Sequence, residues 1–212
     1  MNTVIRIVKL TSQGALAISL LSGCALTKDY VGLTYIPQPN VSKIPGADAV
    51  AVNVEVNDLR SIKDKVSAKI NGFGNEMAPI IATNDVVALV KSAIETELTQ
   101  RGFSCGGKTV IVSVALSKFY SNFKTGFWSG SAVAEVTMDV QVKNADGGIA
   151  FSNLIAGAGL NPSLQVASGS NARIALEAAL KDAMSKLTGD PAFIESLLKS
   201  GQKVAADSHA AK

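Results

Sequence analysis

Cysteine and histidine are scarce in this chain: two of the first and one of the second in 212 residues. His209 stands alone in a polar, Ala-rich tail, so neither a His-based catalytic triad nor a zinc site has the ligands it needs. Charged residues make up only 17% of the chain, and no run of five or more Lys and Arg occurs. That speaks against nucleic acid as a partner. No apolar stretch reaches the roughly 20 residues needed to cross a bilayer. The nearest, from Leu10 to Leu21, is about half that length and is interrupted by Thr11, Ser12 and Gln13. Aromatics are few, eleven in all, yet five of them fall within ten residues: Phe119, Tyr120, Phe123, Phe127 and Trp128.

The short apolar stretch follows Arg6 and Lys9 and ends in Leu21-Ser22-Gly23-Cys24. A basic start, an apolar middle and small residues before a cut make a secretory signal. With cysteine at the cut, the thiol becomes the expected point of acylation, so residues 1–23 read as a lipoprotein signal peptide. Cys24 reads as the lipid-bearing first residue of the mature chain, and no cofactor is expected beyond that lipid. Loss of Arg6 and Lys9 brings basic and acidic residues nearly level, which removes most of the basic bias behind the pI of 8.8. Ala25 rather than Asp after the cysteine favours the outer membrane, inner leaflet, facing the periplasm. With Cys24 acylated, Cys105 has no disulfide partner in the chain.

Three of the six prolines, Pro37, Pro39 and Pro45, crowd the segment after the lipid. Residues 24–47 therefore read as an extended, Pro-containing tether, its Tyr30–Ile36 part open to lying on the domain, with 48–200 as one domain and 201–212 as a flexible tail. Val50, Val52, Val54 and Val56 alternate with polar or small residues, as a strand does. A weaker alternation covers 62–70, and 71–83 shows no period. Asn84 or Asp85 caps a helix to Arg101, with Val86, Val90, Ala93, Ile94 and Leu98 on one stripe and Gly102 as its stop. Two more strands alternate over 110–117 and 132–142, and Asp146-Gly147-Gly148 turns the chain into a third. Helices follow over 171–187 and from Asp190-Pro191 to about Lys199. The order β-β-α-β-β-β-α-α predicts an α+β, two-layer fold: a mostly antiparallel sheet with helices packed on one face.

Motifs that could carry chemistry are weak. Gly102 to Thr109 satisfies the spacing G-x-x-x-x-G-K-[ST], but a helix precedes it and a strand follows. A phosphate loop needs the reverse order, so no nucleotide is expected. Asp58-Leu59-Arg60 reads as a salt-bridged strand end or as a ligand-recognition pair. Glu95 and Glu97 point to different sides of their helix and make no glycosidase pair. Serines are frequent, but no plausible base accompanies them.

The aromatic cluster reads in two ways: exposed, it would touch a partner protein or the membrane interface; folded over, it would shield the core.

In the order of its pieces the chain resembles the YajG-like family of bacterial lipoproteins. The pieces are the lipobox ending at Cys24, the Pro-containing lead and the Val-rich strand followed by Asp58-x-Arg60. They continue with Glu97-Leu98-Thr99-Gln100-Arg101-Gly102-Phe103, the hairpin from Val110 to Val142, and Asp190-Pro191-Ala192-Phe193-Ile194. The resemblance implies an outer-membrane-type lipoprotein without catalytic residues to carry over. The expected role is non-catalytic: a binding or accessory protein with an envelope protein as partner. The alternative is an auxiliary lipoprotein of a lipid or ABC-type transport system, holding an acyl chain between sheet and helices. An envelope hydrolase would need a clustered Ser/Asp/Lys site in a deep cleft.

Overall fold

The computed structural model describes residues 26–106, 110–126, 129–144 and 146–210. Their strands are β1 (Asp29–Val31), β2 (Ala51–Asp58), β3 (Ser67–Ile70), β4 (Glu76–Ala82), β5 (Ser104–Cys105), β6 (Val110–Lys124), β7 (Gly130–Lys143) and β8 (Ile149–Leu164). The helices are α1 (Val86–Gln100), α2 (Gly169–Gly189) and α3 (Pro191–Ala210), and a 3-10 turn covers Ala47–Ala49. The fold is α+β, with all eight strands in one open sheet and the helices packed against it.

The long strands β6, β7 and β8 form an antiparallel meander, which is the backbone of the molecule. Along its other edge β6 is shared end to end: β2 pairs with it in parallel from Val110 to Leu116, and β3 meets it at Ser121. A register shift between Leu116 and Lys118 lies between the two partners, where a bulge lets a strand bend. β4 then pairs antiparallel with β3, and β1 pairs parallel with β4. The sheet is thus mostly antiparallel, as expected, but mixed. The parallel β2–β6 pair follows from the connection through α1, since parallel neighbours need a crossover.

One face of the sheet is apolar throughout. Val52, Val54, Val112, Val114, Leu116, Ala134, Val136, Met138 and Val140 are all at most 1% exposed. α1 covers this face over β2, and α2 covers it over β7 and β8. α2 sits unusually low because it presents Ala172, Ala175, Ala179 and Ala183 to the sheet, while β8 answers with Gly157 and Gly159. A Cβ on Gly159 would lie 2.0 Å from the Ala175 carbonyl oxygen, and one on Gly157 would lie 2.2 Å from that of Ala179. Helix backbone therefore rests on strand backbone. Where α2 crosses β8, no space is left between sheet and helix for an acyl chain.

The sequence does not foresee three strands. β1 and β5 are too short to show a period, and β4 carries Pro79 with no alternation. The weak alternation over 62–70 shrinks to Ser67–Ile70. Two boundary expectations also differ from what is seen. The segment read as a tether lies along the domain beyond Tyr30–Ile36, with Ala47 buried as well as Leu33. α3 does not end near Lys199 but continues to Ala210, and Gly201 sits where a Cβ would strike Val50 at 2.5 Å.

Candidate functional site

Besides the Thr34 amide and hydroxyl, which both donate to Glu177 on α2 at 2.9 and 2.8 Å, side chains hold the N-terminal strap at three points. At the first, Asp29 pairs with the Lys69 ammonium at 2.7 Å and accepts the Gly169 amide at 2.7 Å. One carboxylate thus ties together β1, β3 and the start of α2. Burial raises the Asp29 pKa, but Lys69 and the Gly169 N–H outweigh it and hold the carboxyl below its ordinary range. At the second, the Asn84 side chain accepts from the Leu33 amide and donates back to the Leu33 carbonyl. The third is a buried cluster on the last turn of α1. Glu97 is fully buried; it accepts the Tyr35 hydroxyl at 2.5 Å, the Gln38 amide at 2.9 Å and the Arg101 guanidinium at 2.5 Å. Burial raises the Glu97 pKa, yet these three donors bring it down overall. The Tyr35 hydroxyl is pushed upward by burial and by Glu97. In the sequence Glu97 reads as half of a failed glycosidase pair and as the start of the Glu97–Phe103 piece of the resemblance, with no structural role attached. Its i, i+4 spacing to Arg101 was the available clue; Tyr35 and Gln38, about 60 residues away, gave none.

Asp58 and Arg60 form a two-pronged ion pair, with both bonds at 2.9 Å. Arg60 is buried beside the end of β2, so the salt-bridged strand end is what the structure shows. Arg60 holds Asp58 below its ordinary range.

The aromatic cluster is divided by the strand that carries it. β6 extends to Lys124, so the first three rings lie on a strand. Phe119 is 2% exposed and belongs to the core, which corrects its placement among partner contacts: the bulge after Leu116 turns its side chain to the helix-covered face. Tyr120 is half-buried, and Phe123 is half-buried against the core. Phe127, Trp128 and the lipobox residues Leu21, Ser22, Gly23 and Cys24 lie outside the described residues.

A groove of about 550 Å³ opens at this end of the sheet. Ile70, Phe123, Leu164 and Val166 give it apolar walls, and Lys69 and Ser168 line it as well. It lies between the β3–β4 turn, the β6–β7 tip and the segment leading into α2.

The rest offers little chemistry. Cys105 is half-buried, near the Thr99 hydroxyl at 3.5 Å; burial pushes its thiol up, which disfavours the reactive thiolate. Gly102-Phe103-Ser104-Cys105-Gly106 also spells G-x-S-x-G, a spacing that the reading of the serines overlooks. A nucleophile elbow joins a strand to a following helix; here α1 comes first and β5 follows. The same order disqualifies the phosphate-loop pattern, whose Gly107, Lys108 and Thr109 lie outside the described residues. Among the described residues no group of three or more His, Cys, Asp or Glu could hold a metal, and no helix is long and apolar enough to cross a membrane.

A crystal structure of a Xanthomonas campestris protein shares the fold, with a TM-score of 0.53 at 13% identity over 85% of this chain and 99% of that one. A minor lipoprotein from Acinetobacter baumannii superposes at a TM-score of 0.44 and 7% identity, over 69% and 95% of the two chains. No curated protein matches the sequence. A family model described as uncharacterized lipoprotein matches residues 37–197, from the strap through α2 and into the first turns of α3. The resemblance noted in the sequence therefore holds, and the chain belongs to this family of bacterial lipoproteins of the cell envelope, which carries no enzymatic name.

Proposed function

We propose that the protein is acylated at Cys24, faces the periplasm from the inner leaflet of the outer membrane, and acts there by contact rather than by catalysis. The observation that carries this reading is the lipobox, Leu21 to Cys24, set five residues ahead of Asp29, where the chain is first pinned to the domain. The principal buried ionic groups support the contact role. Glu97, paired with Arg101, ties the strap to α1 through Tyr35 and Gln38, and Arg60 is spent on its pair with Asp58 at the end of β2. None of them stands in a cleft beside a nucleophile.

Cys24→Ala should abolish palmitate labelling and shift the protein from the membrane to the soluble fraction. Continued labelling would refute acylation at this residue. Separation of inner from outer membranes on a density gradient tests the proposed address. For the contact role, Phe127→Ser with Trp128→Ser should keep the melting transition and lose crosslinked envelope partners. A collapse of the melting transition would instead assign those rings to the core.

A further inference from the structure

We infer that the end of the sheet carrying the β3–β4 turn and the β6–β7 tip is a bilayer-contact face, so that the domain stands end-on against the membrane. The inference rests on acylation at Cys24 and deepens that reading by fixing an orientation. The strand registers set the geometry. β1 runs parallel to β4, so its N-terminus faces the β3–β4 turn. β3 meets β6 in parallel at Ser121, so that turn lies beside the β6–β7 tip. Gly130 pairs with Leu164, which brings in the end of β8. The lipid-bearing residue must emerge at this end. Cys24 is two residues from Leu26 and so cannot be more than about 7 Å from it. Asp29 then locks the chain through Lys69 and Gly169. The five residues from Cys24 to Asp29 can span no more than about 18 Å, so the acyl chains keep this end near the headgroups.

The surface there suits lipid. Phe73, in the β3–β4 turn, is 92% exposed, the highest value among large hydrophobics of the described residues. Leu26 and Val166 are 62% and 64% exposed. Lys28 and Lys124 are exposed beside them, with charges suited to anionic headgroups. The opposite end, at the β7–β8 turn, is roughly 45 Å away along the fifteen residues of β6.

The test uses the acylated mature protein in vesicles of phosphatidylethanolamine and phosphatidylglycerol, with or without bromine on the acyl chains. Two variants are read in a Trp128→Phe background, which removes the sole tryptophan: Phe73→Trp at the contact end and Ile149→Trp at the far end, both at exposed positions that tolerate the change. A ring lodged at the acyl boundary should lose about two-fold in fluorescence in brominated vesicles. That is expected for Phe73→Trp, with Ile149→Trp unchanged. Protein that floats with the vesicles while Phe73→Trp is quenched no more than Ile149→Trp overturns the docking face and leaves the anchor standing; a protein partner at this end would give that result. Protein that does not float at all overturns the anchor, and the docking face with it.

Discussion

At the scale of single residues, most of the polar side chains removed from water act as fasteners. Glu97 shows this best, because three donors from three chain positions converge on one carboxylate. Glu97→Gln leaves the Arg101 guanidinium buried without a counter-charge, a change that costs about 3 kcal/mol. Urea unfolding at neutral pH should show it as an earlier midpoint at unchanged slope. The sign with pH follows from the lowered Glu97 pKa. The stability it contributes is fully present above 4.5, the ordinary value, and is lost as pH falls through the depressed one. Wild type and variant should therefore converge in acid, and a gap that stays constant to low pH would refute the assignment. Tyr35→Phe removes one hydrogen bond to a charged group, so a smaller loss of about 1.5 kcal/mol is expected in the same assay. These fasteners were poorly legible in the sequence. The Asp58–Arg60 pair was readable because its members are two apart. Asp29 was not, because its partners Lys69 and Gly169 are 40 and 140 residues away in sequence.

Among the elements, legibility follows exposure and length. α1, β7 and the N-terminal part of β6 each bury one face and expose the other over many residues, so their periods survive in the sequence. β8 hides its character: inward positions are filled by Gly157 and Gly159, which carry no hydropathy signal yet set the distance of α2. Gly159→Ala should be strongly destabilising, by about 3 kcal/mol, since the methyl group meets helix backbone and no side chain can swing aside. A thermal melt would register this directly. Among the described residues β8 is also an edge strand, paired with β7 alone. α2 guards part of that edge: Asp182 accepts the Ala158 amide at 2.8 Å, and Lys186 donates to the Ala156 carbonyl at 2.7 Å. Unpaired edge groups invite association with other chains. Asp182→Ala with Lys186→Ala should lower stability by only about 1 kcal/mol while raising light scattering on incubation. Scattering equal to wild type would show that the edge needs no guard.

For the whole molecule, the pin at Asp29 decides whether the domain hangs loosely from its lipid or is held against the membrane. The Pro-rich composition of 24–47 suggested looseness, because proline removes donors and stiffens the chain. Composition could not show that Leu33 is buried or that Tyr35 reaches Glu97, since both depend on the assembled domain. In the folded protein the strap loses its freedom through ion pairs and hydrogen bonds made far along the chain. Asp29→Ala removes the charge-assisted bonds to Lys69 and Gly169, which are worth roughly 1.5–3 kcal/mol in such settings. Local opening of β1 should then become about 10–100-fold more frequent. Hydrogen exchange reports this at the amides of Tyr30 and Val31, which should speed up by that factor while the amides of β7 exchange as before. In vesicles the same variant should keep its lipid and still float, yet bring a far-end Ile149→Trp reporter closer in quenching to a contact-end one, because the loosened strap lets the domain tilt. Exchange at β1 that stays at the wild-type rate would mean that the Glu97 cluster and Asn84 hold the strap without Asp29, and the orientation would then have to come from the surface of the domain alone.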